Sequence, residues 1–319
     1  MKQWFILAVK AAFTAGLIWW LLGQVEWDTM VARLRGLDPA FLALAFATVL
    51  IAYNLLIVRW WAVNKGISIS LPLGRTIRYS WIGAFFNQTL PSTVGGDAVR
   101  VWYLYRTGET LVRATSSLLL DRLCGLSGLL LIVLFCQPLI FEFVPSAPTR
   151  WGLAALVGAG GAAIIAFVLI GRFRISLLDR WAVTRHLVAI ARDANTLIRN
   201  PVAGGLALFF SIGLQLLVVV TVWLVGQSMG GVITFAQGLA FVPPVVLAAT
   251  IPISVAGWGV REGAMVVALG YVGVSATDAV TISVIFGLLM ITAGLPGGLV
   301  WLLSGRGEIA QMKNNKDAA

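Results

Sequence analysis

Two short polar segments interrupt an otherwise apolar chain, and they match each other in residue type and spacing. The first, Thr89 to Arg100, reads TLPSTVGGDAVR, and the second, Thr250 to Arg261, lies 161 positions later and reads TIPISVAGWGVR. Threonine, proline, two valines, glycine and arginine coincide. Aligned proline, glycine and arginine are not typical of chance similarity between apolar segments, so we interpret the pair as an internal repeat.

Each segment has the residues of an anion site at a broken helix. Proline and glycine interrupt a helix, and the N–H groups at the start of the next helix favour an anion. Arg100 and Arg261, one per segment, add positive charge suited to a phosphate. The polar residues predicted to share this binding are Asn87, Ser92, Thr93 and Ser254. The alternative is that proline and glycine only permit close helix packing, while the arginines reach the membrane surface.

Acidic residues accompany these arginines. Asp97 and Glu262 stand beside them, and the pair Asp121-Arg122 lies inside a later apolar segment. Charges within a membrane are costly and usually face the interior of the helix bundle. We expect these residues to form buried pairs, such as Asp97 with Arg261 across the repeat, or to couple lipid release to protonation; both roles stay open. Asn54 and Arg59, in the second predicted span, could line the same cavity. For Arg59, which lies near the end of its apolar segment, we favour the alternative that it reaches the membrane surface.

The elements that must position these residues are long apolar helices. Of the 319 residues, 59% are hydrophobic and 11% charged, whereas soluble proteins have about 25% charged residues. The unbroken apolar runs also differ from the alternating strands of a membrane barrel. The sequence therefore predicts a single all-α polytopic membrane domain over 1–319. Its predicted spans are 4–22, 41–63, 116–137, 151–171, 203–226 and 279–303.

Two apolar stretches, 77–100 and 235–271, contain the repeat segments and do not resemble simple spans. Broken backbone at membrane depth requires burial in protein or a wet cavity, so we predict two re-entrant or discontinuous helix pairs. Three predicted spans separate them, so they enter from opposite faces and form an inverted repeat. Paired broken helices of this kind mark the central site of many transporters.

Charge distribution predicts the orientation. The chain carries a net charge of +10, and its basic residues collect in 64–114, 172–202 and the C-terminal tail. The positive-inside rule then places both termini in the cytoplasm, in a bacterial inner membrane. Arg185, Arg192 and Arg199 repeat every seven residues. The segment 172–202 is therefore predicted to be a cytoplasmic amphipathic helix, either on the inner leaflet or a solvated connection.

Several function classes are disfavoured by what the sequence contains. Two cysteines and one histidine argue against a metal centre, and no cofactor motif or complete catalytic constellation is recognisable. The basic residues lie between apolar segments, unlike those of a nucleic-acid-binding surface. No nucleotide-binding loop is present, so we expect an ion gradient or the lipid gradient to supply energy.

The segments together resemble a known family. The run 86–100, the pair Asp121-Arg122, the run 252–263 and Leu295-Pro296-Gly297-Gly298 are similar to signatures of the lysylphosphatidylglycerol synthase transmembrane-region family, over about residues 5–305. The resemblance implies a flippase-like domain, which in the multiple peptide resistance factor precedes a cytosolic aminoacyl-transferase domain. This sequence stops at Ala319 without such a domain, so lysyl transfer is not expected here.

We therefore predict an inner-membrane translocator, not an enzyme, that moves a phospholipid or a polyprenyl phosphate between leaflets. Arg100 and Arg261 would hold the phosphate in a central cavity at the repeat interface. One alternative is a lipid-linked transferase in the membrane, with Asp97, Asp121 or Glu262 as acid or base. The other is a non-catalytic partner of a separate lipid synthase.

Overall fold

The computed structural model describes residues 2–90, 95–173, 182–251 and 257–317, and these residues form thirteen helices and no strand. The all-α prediction is confirmed for this part of the chain. The helices are α1 Lys2–Leu22, α2 Trp27–Arg35, α3 Pro39–Gly66, α4 Leu73–Thr89, α5 Gly95–Tyr105, α6 Leu111–Phe135, α7 Gln137–Phe143, α8 Ala147–Ile170, α9 Ala182–Arg199, α10 Pro201–Ser228, α11 Phe235–Ala249, α12 Val260–Gly270 and α13 Ala276–Asp317.

Five helices are long and apolar enough to cross a membrane. They are Pro39–Gly66, Leu111–Phe135, Ala147–Ile170, Pro201–Ser228 and the first part of α13, Ala276–Ser304. They correspond to five of the six predicted spans, so the protein is a multi-pass membrane protein. The sixth predicted span, 4–22, lies in α1, of which Ala12–Leu22 counts as a shorter apolar helix. Six crossings thus remain a prediction.

Helices α3 and α10 form the antiparallel centre of the bundle. Each has 28 residues and begins with proline after a capping residue, whose side chain accepts a backbone N–H: Asp38 for α3 and Asn200 for α10. The hydroxyl oxygens of Thr48 and Thr221 lie 2.8 Å apart between the two helices. The N–H of Asp38 donates to the carbonyl of Ser228 at 2.9 Å, so the start of α3 lies beside the end of α10.

Each predicted broken segment is a pair of packed helices, α4 with α5 and α11 with α12. The second helix of each pair has 11 residues, about 16 Å in length, whereas a bilayer core is about 30 Å thick. Pro243 and Pro244 lie inside α11 and do not end it. Because Pro91 and Pro252 belong to stretches outside the described residues, re-entry into the membrane remains a prediction.

The order and length of the helices repeat along the chain. A short or amphipathic helix, a 28-residue helix and a broken pair precede a long helix twice, in α2–α6 and in α9–α13. Pro39 and Pro201, which begin the two 28-residue helices, are 162 positions apart, close to the spacing of the sequence motif. The similarity between the halves therefore extends well beyond the two polar segments.

One end of the bundle, here called the α2 end, is joined by Arg33. Its Nε lies 2.9 Å from Oδ1 of Asp278 at the start of α13. Its Nη1 donates to the carbonyl of Met229, the C-cap residue of α10, at 3.2 Å. Arg33 thus connects α2 in the first half to α10 and α13 in the second.

The opposite end, the α9 end, is joined in a similar way by Arg113 of α6. Its Nη2 donates to the carbonyl of Ile67, the C-cap residue of α3, at 3.0 Å. Asp193 of α9 lies nearby: burial raises the pKa of its carboxyl, while Ser116 and Arg113 lower it. At each end an arginine thus donates to the C-cap carbonyl of a central helix. Arg33 also pairs with Asp278 of the other half, whereas Arg113 pairs with Glu109 of its own half.

Helix α9 lies within the predicted cytoplasmic segment 172–202 and is amphipathic. Arg185, Arg192 and Arg199 are exposed, whereas Val188 and Ala191 are buried. The buried face packs on α6, α8 and α10. Contact with an inner leaflet remains a prediction.

We expect Arg33→Gln to lower the free energy of unfolding by about 1 kcal/mol, because it removes an ion pair and a charged hydrogen bond at a partly exposed site. The measurement is the apparent melting temperature of the purified protein in detergent. Arg35→Gln, which removes an exposed arginine from the same helix, is the matched control. Equal melting temperatures for the two variants would contradict a joining role for Arg33.

Candidate functional site

The first repeat segment contributes to a group of five charged side chains, four of them buried, which we call the arginine cluster. Arg100 of α5 places Nη2 3.3 Å from Oδ2 of Asp121 and Nη1 3.4 Å from Oδ1 of Asp97. Nε of Arg59, on α3, lies 2.8 Å from Oδ1 of Asp121. Nε of Arg122 lies 2.6 Å from Oδ2 of Asp97. The cluster therefore joins α3, α5 and α6.

Arg100 is also held by an aromatic ring. Its guanidinium carbon lies 4.0 Å from the centroid of Trp60, a cation–π contact. Trp60 donates from Nε1 to Oγ of Ser117 at 2.8 Å, and Ser117 donates to Oδ1 of Asn64 at 2.7 Å. These hydrogen bonds fix the ring, so the ring and two carboxylates together set the orientation of Arg100.

A close crossing of α4 and α5 determines where Arg100 stands. A Cβ atom on Gly96 would collide with the carbonyl oxygen of Gly83, and one on Gly83 would lie 2.9 Å from the side chain of Arg100. Asn87 accepts the N–H of Gly96 at 2.9 Å and so satisfies a donor in the first turn of α5. Asn87, predicted as a binding residue, has a positioning contact in this structure.

The cluster is closed on one side and open on the other. The side chain of Arg122 is 52% exposed, whereas that of Arg100 is 4% exposed and that of Asp121 is 2% exposed. Within the described residues, Nε of Arg100 is buried and makes no hydrogen bond. A buried arginine donor without a partner is costly.

The second repeat segment forms a smaller and neutral group. Nη2 of Arg261 lies 2.8 Å from Oε1 of Glu262, and its Nε donates to Oγ of Ser283 at 3.0 Å. Ser283 in turn donates to Glu262 at 2.9 Å. The other carboxylate oxygen accepts the N–H of Gly259 at 2.6 Å. Glu262 thus neutralises Arg261 and caps the start of α12.

The matched arginines lie in different surroundings because their helices begin in different registers. Helix α5 begins at Gly95, so Arg100 falls in its second turn. Helix α12 begins only at Val260, so Arg261 is its second residue. Arg100 therefore points among α3 and α6, while Arg261 contacts α13 through Ser283 and the ring of Phe286, at 5.5 Å.

Two sequence-based expectations are wrong. Asp97 bonds to Arg100 and Arg122 rather than to Arg261, because partners within its own half are nearer. The described contacts give the two repeat arginines no shared partner, so one central site holding both is not seen. Arg59 does not reach the membrane surface: it is 5% exposed and paired with Asp121.

Some residues escaped sequence reasoning, and others cannot be placed. Trp60, Ser117 and Asn64 were not predicted, although an asparagine inside an apolar run was a usable signal. Ser283 carried no signal, since serine is common in membrane helices. Three predicted binding residues, Ser92, Thr93 and Ser254, lie outside the described residues.

Two apolar cavities open beside these groups. One, of about 480 Å³, lies between α6, α8, α9 and α10, and its lining includes Cys124, one turn beyond Asp121. The other, of about 540 Å³, lies between α1, α8, α11 and α12, and its lining includes Gly259 and Gly263. Their linings suit acyl chains better than polar molecules.

Comparison with known proteins gives one family. The family model described as the lysylphosphatidylglycerol synthase TM region matches residues 7–297, a range that includes both broken helix pairs and the whole arginine cluster. No curated protein matches the chain.

We expect Gly96→Ala to destabilise the protein by about 1–3 kcal/mol, because the new methyl group must push α5 away from Gly83. The readout is the melting temperature in detergent. Gly74→Ala is the control on the same helix pair, since a Cβ atom there meets nothing within 4 Å. If the two variants have the same melting temperature, the close crossing of α4 and α5 does not position α5.

Proposed function

The chain belongs to the lysylphosphatidylglycerol synthase transmembrane-region family, and on this premise we propose that it is a lipid translocator of a bacterial inner membrane. The family supports a membrane function related to lipids. Beyond that, the proposed activity is the movement of a phosphate-containing lipid between leaflets, with the phosphate bound at the arginine cluster. In this proposal the protein moves the lipid without changing its covalent structure, so it is not an enzyme.

The observation that carries this proposal is the buried guanidinium of Arg100. The whole residue is 3% exposed, and its Nε has no hydrogen-bond partner among the described residues. An ionisable side chain inside a membrane indicates a path for a substrate or an ion, because burying its charge there is energetically costly. A phosphate oxygen is the acceptor that an arginine donor binds best.

The neighbours of Arg100 suggest how a phosphate enters. The half-exposed Arg122 is the first cation that an incoming head group meets. Asp97 bonds to both Arg122 and Arg100, so it competes with the phosphate for the same donors. The acyl chains would stay in the bilayer and the apolar cavities.

The positions at which the two broken helix pairs begin support an inverted repeat. Six residues separate α3 from α4 at the α9 end, and six residues separate α10 from α11 at the α2 end. The two broken pairs thus start from opposite ends of an antiparallel centre. Such an arrangement suits alternating exposure of one site to the two leaflets.

We expect purified protein in liposomes to exchange a labelled phospholipid or polyprenyl phosphate between leaflets, and Arg100→Gln to slow this at least about tenfold. A charged hydrogen bond contributes about 1.5–3 kcal/mol, which corresponds to that loss. The measurement follows the outward-facing fraction of labelled lipid with time. Arg75→Gln, which removes an exposed arginine from α4, should leave exchange unchanged.

A variant with Arg100→Gln alone leaves Asp121 with one arginine fewer and can lose stability. Arg100→Lys keeps a positive charge beside Asp97 and Asp121 but removes the Nε donor, so it should fold and still slow lipid exchange. Normal exchange by that folded variant would overturn the phosphate site. A lipid product with altered covalent structure would favour the transferase alternative instead.

The inverted repeat has its own test. In a variant with Cys124→Ala and Cys136→Ala, Thr93→Cys and Ser254→Cys are introduced one at a time. We expect an aqueous thiol reagent to reach them from opposite sides of the membrane, because the broken pairs start at opposite ends. Labelling of both from the same side would contradict the inversion.

A further inference from the structure

We propose that the cavity between α6, α8, α9 and α10 binds a resident phospholipid, with one acyl chain in the cavity and the phosphate beside Arg199. This lipid joins α8 to the rest of the bundle. The site lies outside the arginine cluster and its occupation requires no transport, so it stands or fails independently of the proposed function.

Helix α8 has little buried surface. Of its 24 residues, all within the described ranges, only Val157 is buried. The helix packs on α6, α7 and α9, and Asn195 of α9 donates to the carbonyl of Val168, near the end of α8, at 2.6 Å. The cavity of about 480 Å³ lies between α8 and α10. A molecule that fills this space would therefore supply contacts that connect α8 to α10.

The lining of the cavity is apolar, and its walls reach the surface that faces the bilayer. Ile165 of α8 and Leu208 of α10 line it and are exposed, and both belong to membrane-spanning helices. Ser127 also lines it, but its hydroxyl already donates to the carbonyl of Leu123 at 2.8 Å. An apolar chain that enters from the bilayer fits such a lining.

Glycines keep the space between α8 and α10 open. Gly161 of α8 and Gly204 and Gly205 of α10 line the cavity. A Cβ atom on Gly161 or on Gly205 would meet nothing within 4 Å. A larger side chain at either position therefore starts in open space and can occupy the cavity without a clash at its first atom.

The size of the cavity favours an acyl chain over a helix from a second copy of this protein. An α-helix with its side chains is about 10–12 Å wide and rises about 5.4 Å per turn. One turn alone would need about the whole cavity of 480 Å³. A single acyl chain is much thinner and can follow the space along α10.

A positive charge stands at the α9 end of the cavity. Ile198 of α9 lines it, and the next residue, Arg199, is exposed. A Cβ atom on Gly204 would lie 2.9 Å from the carbonyl oxygen of Leu197, so the start of α10 lies against the last turn of α9. Arg199 thus stands beside the cavity at the end of the bundle, where a lipid phosphate lies when its chain follows α10. A guanidinium binds a phosphate through paired, charge-assisted hydrogen bonds.

The arginine cluster lies on another side of α6. Leu120 and Cys124 line the cavity, whereas Arg122 is two positions from each of them. Because successive residues of an α-helix are about 100° apart, Arg122 lies on the opposite side of α6. A lipid held at Arg199 therefore leaves the arginine cluster unoccupied.

The test is photochemical labelling of the protein in bilayer discs of phosphatidylcholine. One probe is phosphatidylglycerol with a diazirine in an acyl chain, and the other is a diacylglycerol with the same chains and no phosphate. Mass spectrometry gives the labelling of the cavity lining relative to the other spanning segments. We expect phosphatidylglycerol to exceed diacylglycerol about threefold, because an exposed ion pair contributes about that factor.

Two variants fill the cavity from opposite walls. Gly161→Leu and Gly205→Leu should each reduce labelling of the lining by phosphatidylglycerol about tenfold, since exclusion of two methylene groups corresponds to that factor. Gly158→Leu is the matched control on α8: its Cβ atom also meets nothing within 4 Å, and Gly158 is exposed. The melting temperature of each variant shows whether it is folded.

A third variant tests the phosphate contact. Arg199→Gln should lower labelling by phosphatidylglycerol to the level of diacylglycerol. Arg185→Gln removes an exposed arginine from the same helix, 14 positions earlier, and should leave the ratio of the two probes unchanged.

The outcomes separate this site from the proposed function. Equal labelling of the lining in the two cavity-filling variants and in Gly158→Leu would overturn the site. Equal labelling by both probes in the unmodified protein would overturn the phosphate contact, and cross-links between protein copies at the lining would assign the cavity to a second copy. Absence of leaflet exchange in liposomes, with the labelling pattern as expected, would defeat only the proposed function.

Discussion

One carboxylate holds much of this structure together. Asp121 accepts from Arg59 of α3 and Arg100 of α5 while it belongs to α6. In a membrane interior, removal of one partner from such a group leaves a buried charge without compensation, which is far more unfavourable than loss of a surface pair. The relative positions of three helices therefore depend on these ion pairs, and the close crossing at Gly83 then ties α4 to the same centre.

Sequence reasoning predicted the structure correctly where local composition determines which helix forms. Long apolar runs predicted five spans that the structure contains, and the spacing of Arg185, Arg192 and Arg199 predicted an amphipathic helix where α9 lies. Glycine marked the start of the second helix in each broken pair, at Gly95 and Gly259, because glycine acts on its own backbone. Family membership, too, followed from motifs that can be recognised one segment at a time.

Sequence reasoning failed where the partner of a charge lies on another helix. Arg59 stands near the end of its apolar run, a position typical of a side chain that reaches water. Its burial depends on Asp121, 62 positions away, and no local pattern shows that contact. The pairing of Asp97 with Arg122 was missed for the same reason, because Arg122 lies on α6. Its pairing with Arg100, three residues further along α5, was open to local reasoning.

The repeat motif illustrates a second limit. Gly257 and Gly259 adopt positive φ angles of 79° and 85° and delay the start of α12, whereas Gly95 and Gly96 already belong to α5. The same arginine therefore meets two different environments, one with surplus positive charge and one already neutral. Among the described residues, the two similar halves thus carry one charged group and one neutral group. The proposed translocation would need only one such group, because alternating exposure requires symmetry in the helices that move and not in the residues that bind.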